Sequence, residues 1–164
     1  MSVSLREITP ENFKECINLN VSEAQRTFVA PNLMSIAQSK IYPAVNPMAV
    51  YAGEKMVGFA MFGLDEDDGR YYLIRLMIDE KEQGKGYGRA AALAVIEEMR
   101  ANPDCREFYL SFVPENTGAE ALYKSIGFER NGEISEGEIV MRFEIANNGN
   151  PQSKIQNPKS KDVS

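Results

Sequence analysis

The chain has 164 residues, 24 acidic against 18 basic, a formal charge of −6 and no histidine. That length suits one domain with a real core. The missing histidine excludes Ser-His-Asp and Cys-His hydrolysis and HExxH zinc sites, and the acidic balance argues against broad binding along a nucleic-acid backbone.

Cys16 and Cys105 lie too far apart for clustered zinc ligands and make no disulfide framework, so no metal is expected. Cys16, near Phe13 and Ile17, reads as a small buried hydrophobe. Cys105 sits beside charges, where only Arg106 would favour a thiolate. No basic segment precedes an apolar run at the N-terminus, and no apolar run reaches 18 residues. A cytoplasmic protein with no membrane partner is expected.

In chain order, residues 3–8 alternate as a strand, with Val3 and Leu5 apolar. Thr9, as N-cap, and Pro10 start a helix with Phe13 and Ile17 inward. A second helix is predicted over 33–39. Strands over 49–52 and 56–64 flank Gly53-Glu54-Lys55 as a hairpin. Asp65, Glu66, Asp67, Asp68 and Gly69 form a turn, and 71–78 is a third long strand. A helix over 89–100 carries Leu93, Ile96 and Met99 at helical spacing. A strand over 108–113, a helix over 116–126 stopped by Gly127, and a hairpin of 128–134 with 138–145 complete the domain, residues 1–146. The order βααβββαβαββ predicts an α+β fold around one sheet. Residues 147–164 are polar and read as a disordered tail. With three lysines and one aspartate the tail is +2, so residues 1–146 carry −8.

The most informative stretch is Gln83-Gly84-Lys85-Gly86-Tyr87-Gly88-Arg89, between a strand and a helix. Its glycines leave backbone N–H groups unshielded at a helix N-terminus, an anion site suited to a pyrophosphate. Lys85 and Arg89 add charge. The GK[ST] of a Walker loop is missing, and the spacing is not that of a dinucleotide fingerprint.

This stretch resembles the Q/R-x-x-G-x-G/A signature of the GNAT superfamily of acetyl-CoA-dependent N-acetyltransferases. The run from Asn116 through Tyr123 to Gly127-Phe128 resembles the family's second motif. Within the superfamily the chain looks most like bacterial spermine/spermidine and diamine acetyltransferases, through Leu19 to Gln25, Val57 to Leu64 and Arg75 to Glu80. The resemblance implies a central, mostly antiparallel twisted sheet of about seven strands with about four helices. It implies acetyl-CoA as cosubstrate, its pantetheine arm bonded by main-chain groups of Leu76 and Ile78, and its pyrophosphate on residues 83–89. Asn116 would contact the cofactor, although a plain helix N-cap explains it equally. Tyr123 takes the position of the group that protonates the departing thiolate, although its spacing to Ala119 and Ile126 also suits a core aromatic.

The acceptor implied is a polyamine or diamine. Asn20, Glu23, Gln25 and Tyr42, with Phe28, would line its side of the cleft, and the 65–68 turn offers carboxylates or is a solvated turn. Some polyamine acetyltransferases carry a carboxylate where this chain has Ile74, which cannot take a proton; Glu23 and Glu115 are alternatives, and no base is assigned. Other amines on the same scaffold (a protein N-terminus, an amino acid, an aminoglycoside) and a non-catalytic CoA-binding module stay open. The resemblance also leaves a homodimer open.

Overall fold

The computed structural model describes residues 2–145. The tail predicted over 147–164, and the domain end at 146, lie outside the described residues. The strands are β1 (Ser4–Glu7), β2 (Val45–Ala52), β3 (Lys55–Asp65), β4 (Arg70–Ile78), β5 (Glu107–Phe112), β6 (Glu129–Ser135) and β7 (Glu138–Glu144). The helices are α1 (Phe13–Ile17), α2 (Asn32–Ile41), α3 (Tyr87–Arg100) and α4 (Thr117–Ile126). The strands form one seven-stranded sheet, β1-β2-β3-β4-β5-β7-β6, in which only β4 and β5 run parallel. The predicted α+β order holds.

Alternation along the strands feeds two cores, one on each face. On one face, Val57, Phe62 and Leu73 pack with Val95, Ile96 and Met99 of α3 and with Phe108 and Phe128. On the other, Ala49, Phe59, Met61 and Met77 pack with Cys16 of α1 and Ile36 of α2. Phe59 and Phe108 are fully buried, each such side chain contributing about 1.5–3 kcal/mol. Burial pushes both thiols up to about 11, with Glu15 assisting at Cys16. Neither is a thiolate at neutral pH.

Five local expectations need correction. α1 starts at Phe13, because Thr9 instead closes a turn in which its N–H donates to Asn12 Oδ1 at 2.7 Å; Cys16, not Phe13 or Ile17, is the fully buried residue there. β2 starts at Val45, ahead of Pro47. β1 ends opposite Met48, so at Pro47 β2 has a neighbour on one side only, where proline is tolerated. α3 starts two residues earlier than predicted, at Tyr87. Its inner face is Ala91, Ala92, Val95, Ile96 and Met99, whereas Leu93 is exposed.

Candidate functional site

The sheet opens in its middle. β4 and β5 pair only at Tyr71 with Phe108 and Tyr72 with Tyr109. Past Tyr72, β4 continues against β3 alone and β5 against β7 alone. The break coincides with a bulge: Leu73 faces Phe62 and Arg75 faces Met61, leaving Ile74 as the extra residue. A bulge bends its strand and sharpens the local twist. The bulge also puts two consecutive side chains on one face: Ile74 packs against the core cluster that holds Cys16, and Arg75 reaches Gln38 of α2.

The gap leaves main-chain groups free. The Asp79 N–H donates to the Val57 carbonyl at 2.9 Å. Antiparallel alternation then turns Met77 toward β3, and Leu76 and Ile78 into the gap. The Ile78 carbonyl there accepts from Gln83 Nε2 at 2.9 Å, and the same amide donates to Gln25 Oε1 at 2.8 Å. Gln83 thereby ties the loop to the strand end and to the segment before α2.

The loop itself is built for exposed N–H groups. Gly84 and Gly86 take φ of +77° and +87°, a region side chains disfavour. Gly86 is the residue before α3, and no side chain caps that helix, so the first-turn N–H groups have no side-chain competitor. Gly88 is helical, and a Cβ there would meet Ile78 and Leu122 at an ordinary contact distance of 3.8 Å. Lys85 and Arg89 are exposed beside the loop. Lys85 Nζ lies 2.8 Å from Glu82, which also pairs with Lys55. Glu82 is buried, and hydrogen bonds from Lys55 and then Lys85 hold its carboxyl below the usual carboxylate range. Sequence reasoning missed Glu82, since it sits in a charged run without periodicity.

Two cavities meet at the gap. The smaller, about 330 Å³, is lined by Leu76, Ile78, Gln83, Gly84, Gly86, Tyr87, Gly88 and Asn116. The larger, about 960 Å³, runs past Phe28, Tyr42, the four acidic residues of the β3–β4 turn, Tyr72, Ile74, Arg75, Glu136 and Glu138. Leu76, Asn116 and Tyr123 line both. Asn116 is also the N-cap of α4, its Oδ1 accepting from Ala119 N–H at 3.2 Å, which bears out the capping reading. Tyr123 stands on α4 where the cavities join, its ring edge-on to Phe128 at 5.6 Å. Burial pushes its hydroxyl well above the ordinary tyrosine value, so it carries its proton at neutral pH.

The residues expected on the acceptor side separate. Tyr42 lines the larger cavity. Gln25 lines the smaller one, beside Gln83. Asn20 is exposed outside both, its N–H on Asp79 Oδ1 at 3.0 Å. Glu23 and Glu115 are exposed and line neither cavity. Arg75 and Glu138, which do line the acceptor side, were not singled out from the sequence. A lone arginine in an apolar strand and a glutamate beside a turn carry no pattern.

Comparison with known proteins agrees with this architecture. Residues 11–128 match the acetyltransferase (GNAT) family model. The spermine/spermidine N(1)-acetyltransferase of Bacillus subtilis strain 168 is 35% identical over 152 residues, covering 88% of this chain and all of that one. Among solved structures, a spermidine N-acetyltransferase from Vibrio cholerae in complex with CoA and spermine has a TM-score of 0.68 at 20% identity, over 86% of this chain and 93% of that one. The aminoglycoside acetyltransferase AAC(6')-Ib in complex with ribostamycin and coenzyme A has a TM-score of 0.73 at 18% identity, over 88% and 94%. Among the described residues, no helix is long and apolar enough to cross a membrane and no cluster of side chains suits a metal ion. With a sheet parted between β4 and β5, a glycine loop at the opening, and a family match over most of its length, the chain belongs to the GNAT family of acetyltransferases and is an acetyl-CoA-dependent N-acetyltransferase.

Proposed function

We propose that this enzyme, in the cytoplasm, acetylates a primary amine of a polyamine or diamine, with both substrates bound together. The observation that carries the reading is the pair of joined cavities: one is glycine-lined at a helix N-terminus, the other acidic, and Tyr123 stands between them. The 35% identical relative supports the acceptor class.

The smaller cavity fits the cofactor. The left-handed glycines, the uncapped start of α3, the main-chain groups of Leu76 and the Ile78 N–H are unspent donors and acceptors in one line, while the Ile78 carbonyl already accepts from Gln83 Nε2. Residues 83–89 would hold the pyrophosphate, with Lys85 and Arg89 adding charge. Leu76 and Ile78 would bond the pantetheine amides, and Asn116 would contact the arm. When bound, acetyl-CoA supplies the acetyl group as a thioester. The Leu76 N–H, aimed into the gap, would polarise the thioester carbonyl, as fixed donors do in acyl transfer. Tyr123 Oη would hand its proton to the departing sulfur.

In the larger cavity, the 65–68 turn, Glu136 and Glu138 supply negative charge between the aromatic walls of Phe28, Tyr42 and Tyr72, a lining suited to ammonium groups spaced along methylenes. Asp68 Oδ2 accepts the Tyr72 hydroxyl at 2.6 Å, fixing that wall.

The test is CoA release with spermine, spermidine and putrescine, compared with an amino acid, an aminoglycoside and an N-terminal peptide. Polyamines should give the highest kcat/KM. Turnover of another amine with none on polyamines overturns the acceptor class.

A further inference from the structure

The acidic acceptor cavity contains one misfit, and it lies at the reacting end. Arg75 lines the cavity directly before Leu76. Its guanidinium is partly held by the protein. One terminal nitrogen, Nη1, donates to the Ile74 carbonyl at 2.9 Å, Nη2 lies 3.5 Å from Gln38 Oε1, and Nε is buried without a partner. A guanidinium recognises a carboxylate through its free fork. Here both terminal nitrogens already donate to the protein, so Arg75 brings its charge to the cavity with its fork partly spent.

The surrounding charges are graded along β4. The carboxylates of the 65–68 turn lie at its far end: Asp65 faces Arg70, roughly 16 Å of strand away from Arg75 at about 3.3 Å per residue. Glu138, from β7, is the carboxylate whose field acts on Arg75; it is held by Ser111 Oγ at 2.7 Å. Glu136, from the β6–β7 turn, and the phenols of Tyr42, Tyr72 and Tyr123 complete the ionisable lining. Gln38, from α2, is neutral. The guanidinium stays charged throughout the working pH range.

We propose that Arg75 shifts the reacting end of the acceptor toward its neutral, nucleophilic form, easing the deprotonation for which Ile74 supplies no base. A like charge disfavours an ammonium, so the amine beside Arg75 gives up its proton to solvent. Where the acceptor carries a second, distant ammonium, the acidic turn would hold it. The free amine's lone pair then forms the C–N bond while the C–S bond breaks. The proton remaining on nitrogen ends on the CoA sulfur through Tyr123, which leaves an acetamide and a thiol with nothing oxidised or reduced. This inference rests on the amine-acetylating reading above, not on the acceptor being a polyamine.

The experiment is kcat against pH at saturating acceptor, because kcat reports ionisations in the bound complex. The acceptor is whichever amine the screen shows to turn over, so failure of the polyamine reading leaves this test intact. Arg75→Gln should move the acid limb up by about one unit and lower kcat at pH 7 about tenfold, with the alkaline plateau kept and KM for the amine unchanged or lower. Arg75→Lys should restore the limb. Arg75→Met, which keeps the methylene stem without the charge, should move the limb up in the same way and serves if Arg75→Gln folds poorly. A uniform fall in kcat with an unmoved limb overturns the proposal in favour of a structural role. A raised KM with an unmoved limb overturns it in favour of direct recognition of the acceptor.

Discussion

Replacing Tyr123 with phenylalanine removes one oxygen from the junction of the two cavities. The ring's edge-on contact with Phe128, at 5.6 Å, survives the change. No side chain among the described residues hydrogen-bonds the hydroxyl, whose upward shift comes from burial alone. Folding should therefore be almost untouched, within about 0.5 kcal/mol, and melting temperatures should agree within about 2 °C. Catalysis should not be spared. A positioned proton donor contributes about 10²–10⁴ to rate, or roughly 2.7–5.5 kcal/mol of barrier. The loss should appear in kcat, with KM for acetyl-CoA and amine nearly constant, because the hydroxyl acts on a charge that develops only as sulfur departs. The assay is steady-state CoA release with thermal melts on the same preparations. A kcat within about twofold of the parent, at equal stability, would refute the role given to Tyr123.

Two further outcomes are expected. Gly86→Ala forces a side chain into a φ of +87°, at a cost of about 1–2 kcal/mol; the melt should fall by about 2–8 °C and KM for acetyl-CoA should rise, and an unchanged KM would count against the loop as the phosphate site. Glu120 is held down to about 2 chiefly by Arg130, bonded through both carboxylate oxygens at 2.5 and 2.7 Å, with burial opposing and Lys124 assisting. A depressed folded value means the stabilisation is complete above the ordinary value of 4.5 and drains away as pH falls toward 2. The melting-temperature gap between the parent and Glu120→Gln should close over that window, and a constant gap would contradict the assignment.

Much of the fold is legible in the residues because period and punctuation agree. Residues 3–8 alternate, Gly127 stops α4, and the 53–55 hairpin divides two apolar runs. The glycine loop is legible for a stronger reason: two of its glycines occupy a conformation that other residues pay to enter. What escapes is whatever depends on a partner strand. Pro47 argues against a strand until β1 is seen to end opposite Met48. Strict alternation along β4 puts Ile74 and Arg75 on opposite faces. The bulge that puts them together exists only in the register with β3, so the cation of the acceptor cavity is invisible to periodicity. Asn20 and Glu23 fail to reach the cavities for a related reason. The short 3₁₀ turn Glu23–Gln25 directs Gln25 to Gln83 and leaves Glu23 in solvent.

The parting of β4 from β5 has a consequence for the protein's solubility. An unpaired strand edge ordinarily invites a foreign strand, and proteins guard such edges with charge or irregularity. The outer margin at β6 follows that rule: every residue is exposed, its register with β7 is broken, and it carries Glu129, Arg130 and Glu133. The edge of β4 follows a different one. Residues 73–78 offer their unpaired groups inside the sheet, flanked by β5, α4 and the segment through Phe28. A strand of another protein, bearing side chains on both faces and needing a second layer to cover it, does not fit between these walls. A slender arm with amides and few branches does. Enclosure thus does for the inner edge what charge does for the outer one, and the chain keeps a reactive strand edge without exposing it to its neighbours.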